Sequence, residues 1–320
     1  MTKQLINNFF SEIGISDIGF YIPNNFLNNE DKVLKFDLEK NFLEEKIGTK
    51  KVSRKFPEQE TSDLCVNAFE ELNSRINLNK DIIDCIVVIT QNPDDDGLPH
   101  TSAIVHRKLN LSNKCAAFDI SLGCSGYVYG LSIMKSFMEA NRMQNGLLFT
   151  CDPYSKIIDL EDKNTSLLFG DAATVTLMNT NPKICLDKFI FATNGGFGNS
   201  LISLNGILSM NGRAVFNFCG TEVPKQIKEL INSVNSNLVI DIYLLHQGSK
   251  FIIDTISRKL GLNAEMAPCN LNGKGNTVSS SIPLLLKEYL DKSNVKVIII
   301  SGFGVGLSWA TGILKRKLKP

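Results

Sequence analysis

A cysteine at a glycine-flanked corner is the residue with the clearest chemical potential. The segment DISLGCSG (119–126) follows a β-like run and precedes an amphipathic helical pattern, and it holds Cys124 between two glycines. A cysteine at the first turn of a helix lies beside unpaired N–H groups and the positive end of the helix dipole, which favour a thiolate. The placement predicts a nucleophile with a depressed pKa, and the alternative is a buried, inert cysteine.

Two further polar residues occur at comparable corners. His246 ends the apolar run LVIDIYLLH (238–246), and polar residues at the carboxyl end of a buried strand face the crevice in which α/β proteins bind ligands. Asn276 follows two glycines just before a predicted helix start, and its amide can donate to a developing oxyanion without taking up a proton. The alternatives are a hydrogen-bonded strand-end histidine and an ordinary turn asparagine.

A glycine-rich segment, SGFGVGLSWA (301–310), follows another predicted buried strand. Its alternating glycines bring bare backbone N–H groups close to a neighbouring group. A phosphate-binding loop is one interpretation, but the segment has neither a GK[ST] ending nor a GxGxxG spacing followed by a helix. Backbone stabilisation of an oxyanion is the other interpretation, and it fits a thiol nucleophile better.

Strands that alternate with helices predict an α/β layered fold. Apolar runs that predict buried strands lie at 82–90, 115–120, 146–151, 238–246 and 295–302. Helical periodicity is found in 126–142, with Val128, Leu131, Met134 and Met138 on one stripe, and in 249–261, with Phe251, Ile252, Ile256 and Leu260. These elements predict a substantially parallel sheet covered by helices.

A weak internal repeat indicates two similar halves. IDCIVVITQN (83–92) is echoed by IDIYLLHQGS (240–249), and each is followed by a strand that runs into a glycine-rich corner. We therefore expect an N-terminal half at 1–175 and a C-terminal half at 176–320, folded as one compact unit. The segment 181–222 is expected to be loop-rich surface covering.

Composition excludes several classes of protein. The 320 residues carry 34 basic and 33 acidic side chains, which gives no overall electrostatic footprint for nucleic acid or membrane. The eight cysteines contain no CxxC pair, and the three histidines have no ligand spacing to them, so neither a disulfide framework nor a metal site is expected. Without a signal-peptide pattern or a bilayer-spanning apolar stretch, the chain is expected to be soluble and cytoplasmic.

Together these segments resemble the β-ketoacyl-acyl-carrier-protein synthase III family of the thiolase superfamily. The resemblance rests on four motifs, DISLGCSGYVYGL, HQGSKFI, GKGNTVSSSIP and GFGVGLSW, together with LLFGDAATVTLM at 167–178. It implies a thiolase-like duplicated five-layer αβαβα sandwich. The nucleophilic cysteine would lie in the first half, and the histidine and asparagine in the second.

The resemblance also implies a two-stage reaction. Cys124 would take an acyl group from acyl-CoA as a thioester, and the carbanion formed when malonyl-acyl-carrier protein loses carbon dioxide would attack it. His246 and Asn276 would bind the malonyl thioester carbonyl, and the backbone amides of Cys124 and Val305 would hold the tetrahedral oxyanion. A homodimer is implied, and neither a metal nor a redox cofactor is required.

Several positions depart from the family pattern. Phe42 and Lys46 stand where a tryptophan and an arginine commonly pack the CoA adenine, and Lys163 stands where an arginine contacts the CoA phosphates. Phe251 replaces a basic residue, so Lys250, Arg258 and Lys259 are expected to reach the CoA or the acidic carrier protein instead. Leu98 is expected to cross a dimer interface and line the acyl pocket of the partner.

Three functions remain open at this point. The first is a condensing synthase, in fatty acid synthesis or in a specialised pathway that makes a polysaccharide or secondary metabolite. The second is a related acyltransferase that acts on an alcohol or amine, and the third is a non-catalytic acyl-binding relative. Because the cysteine, histidine and asparagine are all present, decarboxylative condensation is favoured.

Overall fold

Residues 12–39, 41–234 and 238–317 are described by a computed structural model. Their strands are β1 Gly14–Tyr21, β2 Asn25–Asn28, β3 Lys51–Arg54, β4 Cys85–Ile89, β5 Ala116–Ile120, β6 Asn145–Cys151, β7 Ala173–Asn179, β8 Ile184–Thr193, β9 Leu201–Leu204, β10 Ile207–Met210, β11 Ile242–Leu245, β12 Val297–Gly304 and β13 Ser308–Arg316. Their α-helices are α1 Asp31–Lys35, α2 Thr61–Ile76, α3 Thr101–Leu109, α4 Gly126–Ala140, α5 Lys163–Ser166, α6 Gly212–Asn232, α7 Lys250–Leu260 and α8 Ser281–Lys287. A π-helical turn covers Leu43–Ile47, and 3₁₀ turns cover Lys80–Ile82, Tyr154–Lys156, Gly195–Ser200 and Val278–Ser280.

Nine strands form one mixed sheet in the order β11-β12-β13-β8-β1-β7-β6-β4-β5. Within it, β4 is parallel to β6, β6 is antiparallel to β7, and β7 is antiparallel to β1. We call β1, β7, β6, β4 and β5 the first section of the sheet, and β11, β12, β13 and β8 the second section. The second section repeats the pattern of the first: β11 is parallel to β12, β12 is antiparallel to β13, and β13 is antiparallel to β8. The two sections meet only briefly, where Gly14 and Ile15 pair with Cys185 and Ile184.

Helices arrange these two sections into five layers. The first section carries α2 and α3 on its outer face, and the second section carries α6 and α7 on its outer face. Between the sections lie α4 and α8, each of which contacts strands of both. The expected αβαβα order is therefore confirmed. The division at residue 175 stays a prediction, and that position lies inside β7.

The central helix α4 explains how the two sections share one core. Its predicted stripe of Val128, Leu131, Met134 and Met138 is fully buried, among side chains contributed by both sections. Gly130 lets the helix lie directly on β4, because a Cβ at this position would come 2.5 Å from Ile89 Cδ1. The buried stripe and the close packing at Gly130 hold α4 against β4, and Cys124 lies two residues before the first residue of this helix.

Two predicted elements are wrong. The segment 269–277, expected to be a strand that runs into a glycine-rich corner, contains no strand. The segment 181–222 is not loop-rich covering, because it contains β8, β9, β10 and the start of α6. Three of its glycines lie in a 3₁₀ turn at Gly195–Ser200, one lies between β9 and β10, and two lie in α6, so none of them interrupts a strand. In α7 the buried residues are Ile253 and Ile256, while Phe251 and Ile252 are half-buried and face a cavity described below.

In the described ranges, no helix is long and apolar enough to cross a membrane. Of the eight cysteines, six are buried, Cys185 is half-buried and Cys269 is exposed.

We expect Gly130→Ala to lower the free energy of unfolding by about 1–3 kcal/mol, because the new methyl group overlaps Ile89. Gly220→Ala is the matched control: it also lies in a helix, but its Cβ would come no closer than 3.5 Å to Thr255, so alanine should stabilise by up to about 1 kcal/mol. Urea denaturation measures both. The double variant Gly130→Ala/Ile89→Val should recover part of the loss, and equal effects at Gly130 and Gly220 would contradict the packing account.

Candidate active site

A cavity of about 520 Å³ brings the three predicted polar residues together. Cys124, His246 and Asn276 all line it, although they come from three separate parts of the chain. The remaining lining residues are Leu38, Phe42, Lys46, Ile47, Lys163, Asn164, Leu167, Leu168, Phe169, Leu201, Met210, Gly212, Arg213, Val215, Phe216, Cys219, Gly248, Ser249, Phe251, Ile252, Phe303 and Gly304. The cavity is thus mostly apolar, with a small set of polar groups.

Cys124 lies in the corner between β5 and α4, as the sequence predicts. The end of β12 packs directly against it: a Cβ at Gly304 would lie 2.8 Å from the Cys124 sulfur, so no side chain fits there. The backbone N–H groups of Cys124 and Val305 lie near this sulfur and lower its pKa. The glycine-rich segment after β12 therefore presents an amide to the cysteine, and the two donors converge on one atom.

The predicted depression of the thiol pKa is wrong. Cys124 is 4% exposed, and this burial, together with the negative charge of Asp152, raises the pKa of its thiol to about 12. The physical reason is that loss of hydration penalises the thiolate more than the two backbone donors favour it. The sulfur is therefore a neutral thiol at neutral pH, held next to two N–H donors.

His246 follows the last residue of β11 and is 2% exposed. Its Nδ1 lies 2.7 Å from Ser281 Oγ, and its ring meets Phe303 edge-on with 5.4 Å between ring centres. Burial lowers the pKa of the imidazole to about 3, although a hydrogen bond with the backbone of Val278 opposes this. The histidine is therefore neutral at physiological pH and held in one orientation.

Asn276 is fixed at both backbone and side chain. Its N–H donates to Leu168 O at 2.8 Å, and its carbonyl accepts the Gly170 N–H at 2.9 Å. Its Oδ1 accepts the Val278 N–H at 2.9 Å, which leaves the amide NH₂ as the end that can donate to a ligand. Val278 has φ +51°, a conformation that costs a β-branched residue about 1–3 kcal/mol. The surrounding contacts must supply that energy, so this turn is imposed by the fold.

We call residues 276–281 the connector. It begins at Asn276 and ends at Ser281, whose hydroxyl bonds to His246. It also contains two further serines, which bond to the first section. Ser280 Oγ lies 3.0 Å from the Thr150 carbonyl, and Ser279 Oγ donates to Asp152 at 2.5 Å. The connector thus links the second section, which carries His246, to the first section, which carries Cys124.

Aromatic and basic side chains cluster elsewhere in the cavity lining. Phe42, Lys46 and Lys163 line the cavity where the sequence predicted a CoA site. Lys46 Nζ lies 3.8 Å from the ring centre of Phe251, and Phe251 stacks on Phe216 with 4.7 Å between centres. Among the described lining residues there are cations but no aspartate or glutamate. This imbalance of charge suits an anionic ligand.

The other predicted contacts lie away from this cavity. Lys250 pairs with Asp254, one turn further along α7, and does not line the cavity. Arg258 and Lys259 are exposed at the end of α7. Leu98 is 87% exposed and is also outside the lining of its own chain's cavity. Throughout the described ranges, no group of three or more His, Cys, Asp or Glu residues could hold a metal ion.

One face of α6 supplies lining residues that the sequence reasoning missed. Arg213, Phe216 and Cys219 line the cavity from the first two turns of this helix. In NGRAVFNFCG these three residues are each three positions apart, and this helical spacing could have identified them. The glycines on either side led to the loop interpretation instead. Arg213 is exposed and adds a third cation to the lining.

Comparison with known proteins supports the resemblance over nearly the whole chain. Residues 118–195 match the 3-oxoacyl-[acyl-carrier-protein] synthase III family model, and residues 236–316 match its C-terminal domain. The β-ketoacyl-[acyl-carrier-protein] synthase III of Lactococcus lactis subsp. lactis is 33% identical over 323 residues, covering 94% of this chain and 98% of that protein. The chain belongs to the β-ketoacyl-acyl-carrier-protein synthase III family. The matched ranges include Cys124, His246 and Asn276.

Other members of the synthase III family give the same result. The Streptococcus mutans synthase III is 32% identical over 325 residues, covering 94% of this chain and 98% of its own. The Thermus thermophilus synthase III structure has a TM-score of 0.86 and 29% identity, covering 95% of this chain and 99% of that one. The thiolase-like fold is therefore confirmed.

The neutral thiol gives a distinct alkylation profile. We expect the rate at which iodoacetamide modifies Cys124 to keep rising between pH 7 and 10, because the thiolate fraction of a group with a pKa of about 12 grows throughout this range. Peptide mass spectrometry of the Cys124 peptide measures the rate, and Cys124→Ser identifies the background. A rate that is already constant above pH 8 would contradict the raised pKa.

Proposed function

We propose that the chain catalyses decarboxylative condensation of an acyl-CoA with malonyl-acyl-carrier protein to give a β-ketoacyl-acyl-carrier protein. The observation that carries this proposal is the shared cavity in which Cys124, His246 and Asn276 meet. Family membership supports the same reaction, since the relatives named above are β-ketoacyl-acyl-carrier-protein synthases III.

In the loading step, the Cys124 sulfur attacks the acyl-CoA carbonyl carbon. A new C–S bond forms, the C–S bond to CoA breaks, and the thiol proton ends on the released CoA. The N–H groups of Cys124 and Val305 lie near the sulfur, so they can bind the oxygen of the tetrahedral intermediate, whose central carbon is bonded to that sulfur. Because the resting thiol is neutral, these donors act on charge that develops during the reaction, when they lower the barrier most.

In the condensation step, His246 and Asn276 bind the thioester oxygen of the malonyl group. Loss of carbon dioxide leaves an enolate, whose oxygen accepts hydrogen bonds from the imidazole and from the amide NH₂. Because its pKa is lowered to about 3, His246 is a neutral imidazole rather than an imidazolium. The N–H of a neutral imidazole is a far weaker acid than an imidazolium, so it donates a hydrogen bond to the enolate and keeps its proton. The enolate carbon then forms a C–C bond with the carbonyl carbon of the Cys124 thioester. The bond from that carbon to the Cys124 sulfur breaks, and the released Cys124 thiolate takes a proton from solvent.

The cationic part of the lining supports binding of CoA. Lys46, Lys163 and Arg213 supply positive charge for the phosphates, and the apolar lining fits the pantetheine arm and the acyl chain. We assign adenine stacking to Phe42, which lines the cavity, and Phe216 offers a second aromatic surface. Lys250, Arg258 and Lys259 lie outside this lining, so we assign them to the carrier-protein surface instead.

Two rival functions are less well supported. An acyltransferase that uses an alcohol or amine needs no donor pair for an enolate, whereas Asn276 is fixed here with its NH₂ free. A non-catalytic acyl-binding protein needs no strained turn at Val278 and no converging amides at the sulfur. Service in a specialised pathway stays a prediction.

We further propose a homodimer that acts in the cytoplasm, where CoA and carrier-bound thioesters are available. The support is at Leu98, which is 87% exposed on a loop that its own cavity does not use. Leucine at such exposure favours burial against another surface. In the dimer, Leu98 would contribute to the acyl pocket of the partner chain.

Asn276→Ala should separate the two steps. We expect the variant to form the acetyl thioester on Cys124 at a rate near that of the wild type, and to lose roughly 10²–10³-fold in condensation, the usual cost of one oxyanion donor. Mass spectrometry of the Cys124 peptide follows loading, and formation of β-ketoacyl-carrier protein follows condensation. Asn276→Asp, which keeps the acceptor for the Val278 N–H but lacks the NH₂, should behave alike. Equal loss of both steps would contradict the assigned role.

Arg213→Gln should weaken acyl-CoA binding without changing the chemistry. We expect KM for acyl-CoA to rise roughly tenfold, equivalent to about 1.4 kcal/mol, with kcat unchanged. Arg258→Gln is the matched control, because Arg258 is an exposed arginine outside the cavity lining. Steady-state kinetics at low ionic strength measures both. A rise in KM for Arg258→Gln alone would reassign the CoA site.

A further inference from the structure

A buried carboxylate next to the candidate active site has no counter-ion among the residues that the structure describes. Asp152 directly follows β6 and is fully buried. Gln91 N–H donates to its Oδ1 at 2.7 Å, and Ser279 donates to its Oδ2 through Oγ at 2.5 Å and also through its backbone N–H. Among the described residues, no lysine or arginine contributes to its pKa. A buried charge held only by neutral donors is costly, so its retention calls for a function.

The carboxylate joins the two parts of the site. Gln91 lies beyond the end of β4, and its Oε1 accepts a hydrogen bond from Tyr154 OH at 3.1 Å. The negative charge of Asp152 raises the pKa of Cys124 and of Tyr154, so both side chains are close to it. On its other side, Ser279 belongs to the connector, between Asn276 and Ser281. Asp152 therefore contacts both the nucleophile region and the segment that holds the enolate donors.

We propose that Asp152 is a positioning residue for condensation, whose carboxylate binds Ser279 and so holds Asn276 and the His246 partner Ser281 in the cavity with Cys124. The proposal rests on the proposed function. Ser279 offers two donors, its hydroxyl and its N–H, and only the ionised carboxylate accepts both without presenting a proton of its own. Protonation of Asp152 would replace an acceptor with a donor and release this end of the connector.

The same geometry gives the reaction a dependence on pH. Burial raises the pKa of Asp152 to about 6, against the opposing effect of the Ser279 and Gln91 donors. The titratable groups on which its charge acts are Cys124, Cys151 and Tyr154, whose pKa values are all raised, so none of them ionises in this range. Condensation should therefore fall as pH decreases through 6, as the carboxylate takes up a proton.

Two variants test the proposal by the pH profile of condensation. Asp152→Asn has nearly the size of aspartate but cannot ionise, so we expect a rate roughly tenfold or more below wild type at pH 7.5, without the acidic limb. Ser279→Ala removes one donor from the carboxylate, which raises the pKa of Asp152 and should move the limb to higher pH. Asp171→Asn is the matched control: Asp171 is equally buried, but bonds Ser155 and Lys55, and should keep the wild-type limb.

A second readout does not depend on condensation. Removing the negative charge in Asp152→Asn lowers the pKa of the Cys124 thiol, so iodoacetamide should modify Cys124 roughly tenfold faster at pH 8 than in the wild type. Faster alkylation, slower condensation and an unchanged melting temperature together support the proposal. A variant that was merely misfolded would have a lower melting temperature. An unchanged acidic limb in both Asp152→Asn and Ser279→Ala would overturn it. Absence of condensation in the wild type would instead refute the proposed function.

Discussion

The hydrogen bonds between the connector and the first section of the sheet are the contacts on which the site depends. Cys124 comes from the corner before α4, whereas His246 and Asn276 come from the other half of the chain. Asn276 reaches the cavity because its backbone pairs with Leu168 and Gly170, and because Ser280 bonds to the end of β6. Without these bonds the strained turn at Val278 would relax, and the three side chains would belong to separate surfaces.

Burial decides the electrostatic character of the cavity. It raises the pKa of the Cys124 thiol and lowers that of the His246 imidazole, so both groups are neutral at physiological pH. A neutral site built from N–H donors binds an uncharged thioester carbonyl, and it stabilises negative charge more strongly as that charge develops. The positive charge of the lining is instead supplied by Lys46, Lys163 and Arg213, where a phosphorylated substrate would be held.

The alternation of apolar strands with helices predicted an α/β layered fold. The three polar residues could be predicted because each lies at the boundary of an element that has its own local sequence signal. The apolar stripe of α4, the carboxyl end of β11 and the serines before α8 are all local patterns. Arg213 and Phe216 were missed because flanking glycines obscured the start of α6. The pKa of Cys124 was predicted in the wrong direction because the local helix end is visible in sequence, whereas burial and the nearby charge of Asp152 come from tertiary packing.

The most direct test of the central claim is a crystal structure of the protein after incubation with acetyl-CoA. We expect continuous density from the Cys124 sulfur into an acetyl group, with the carbonyl oxygen about 2.7–3.1 Å from the N–H groups of Cys124 and Val305. His246 and Asn276 should face the same carbonyl carbon from the side on which the malonyl group would bind. An unmodified Cys124, or an acetyl oxygen that points away from both amides, would contradict the account.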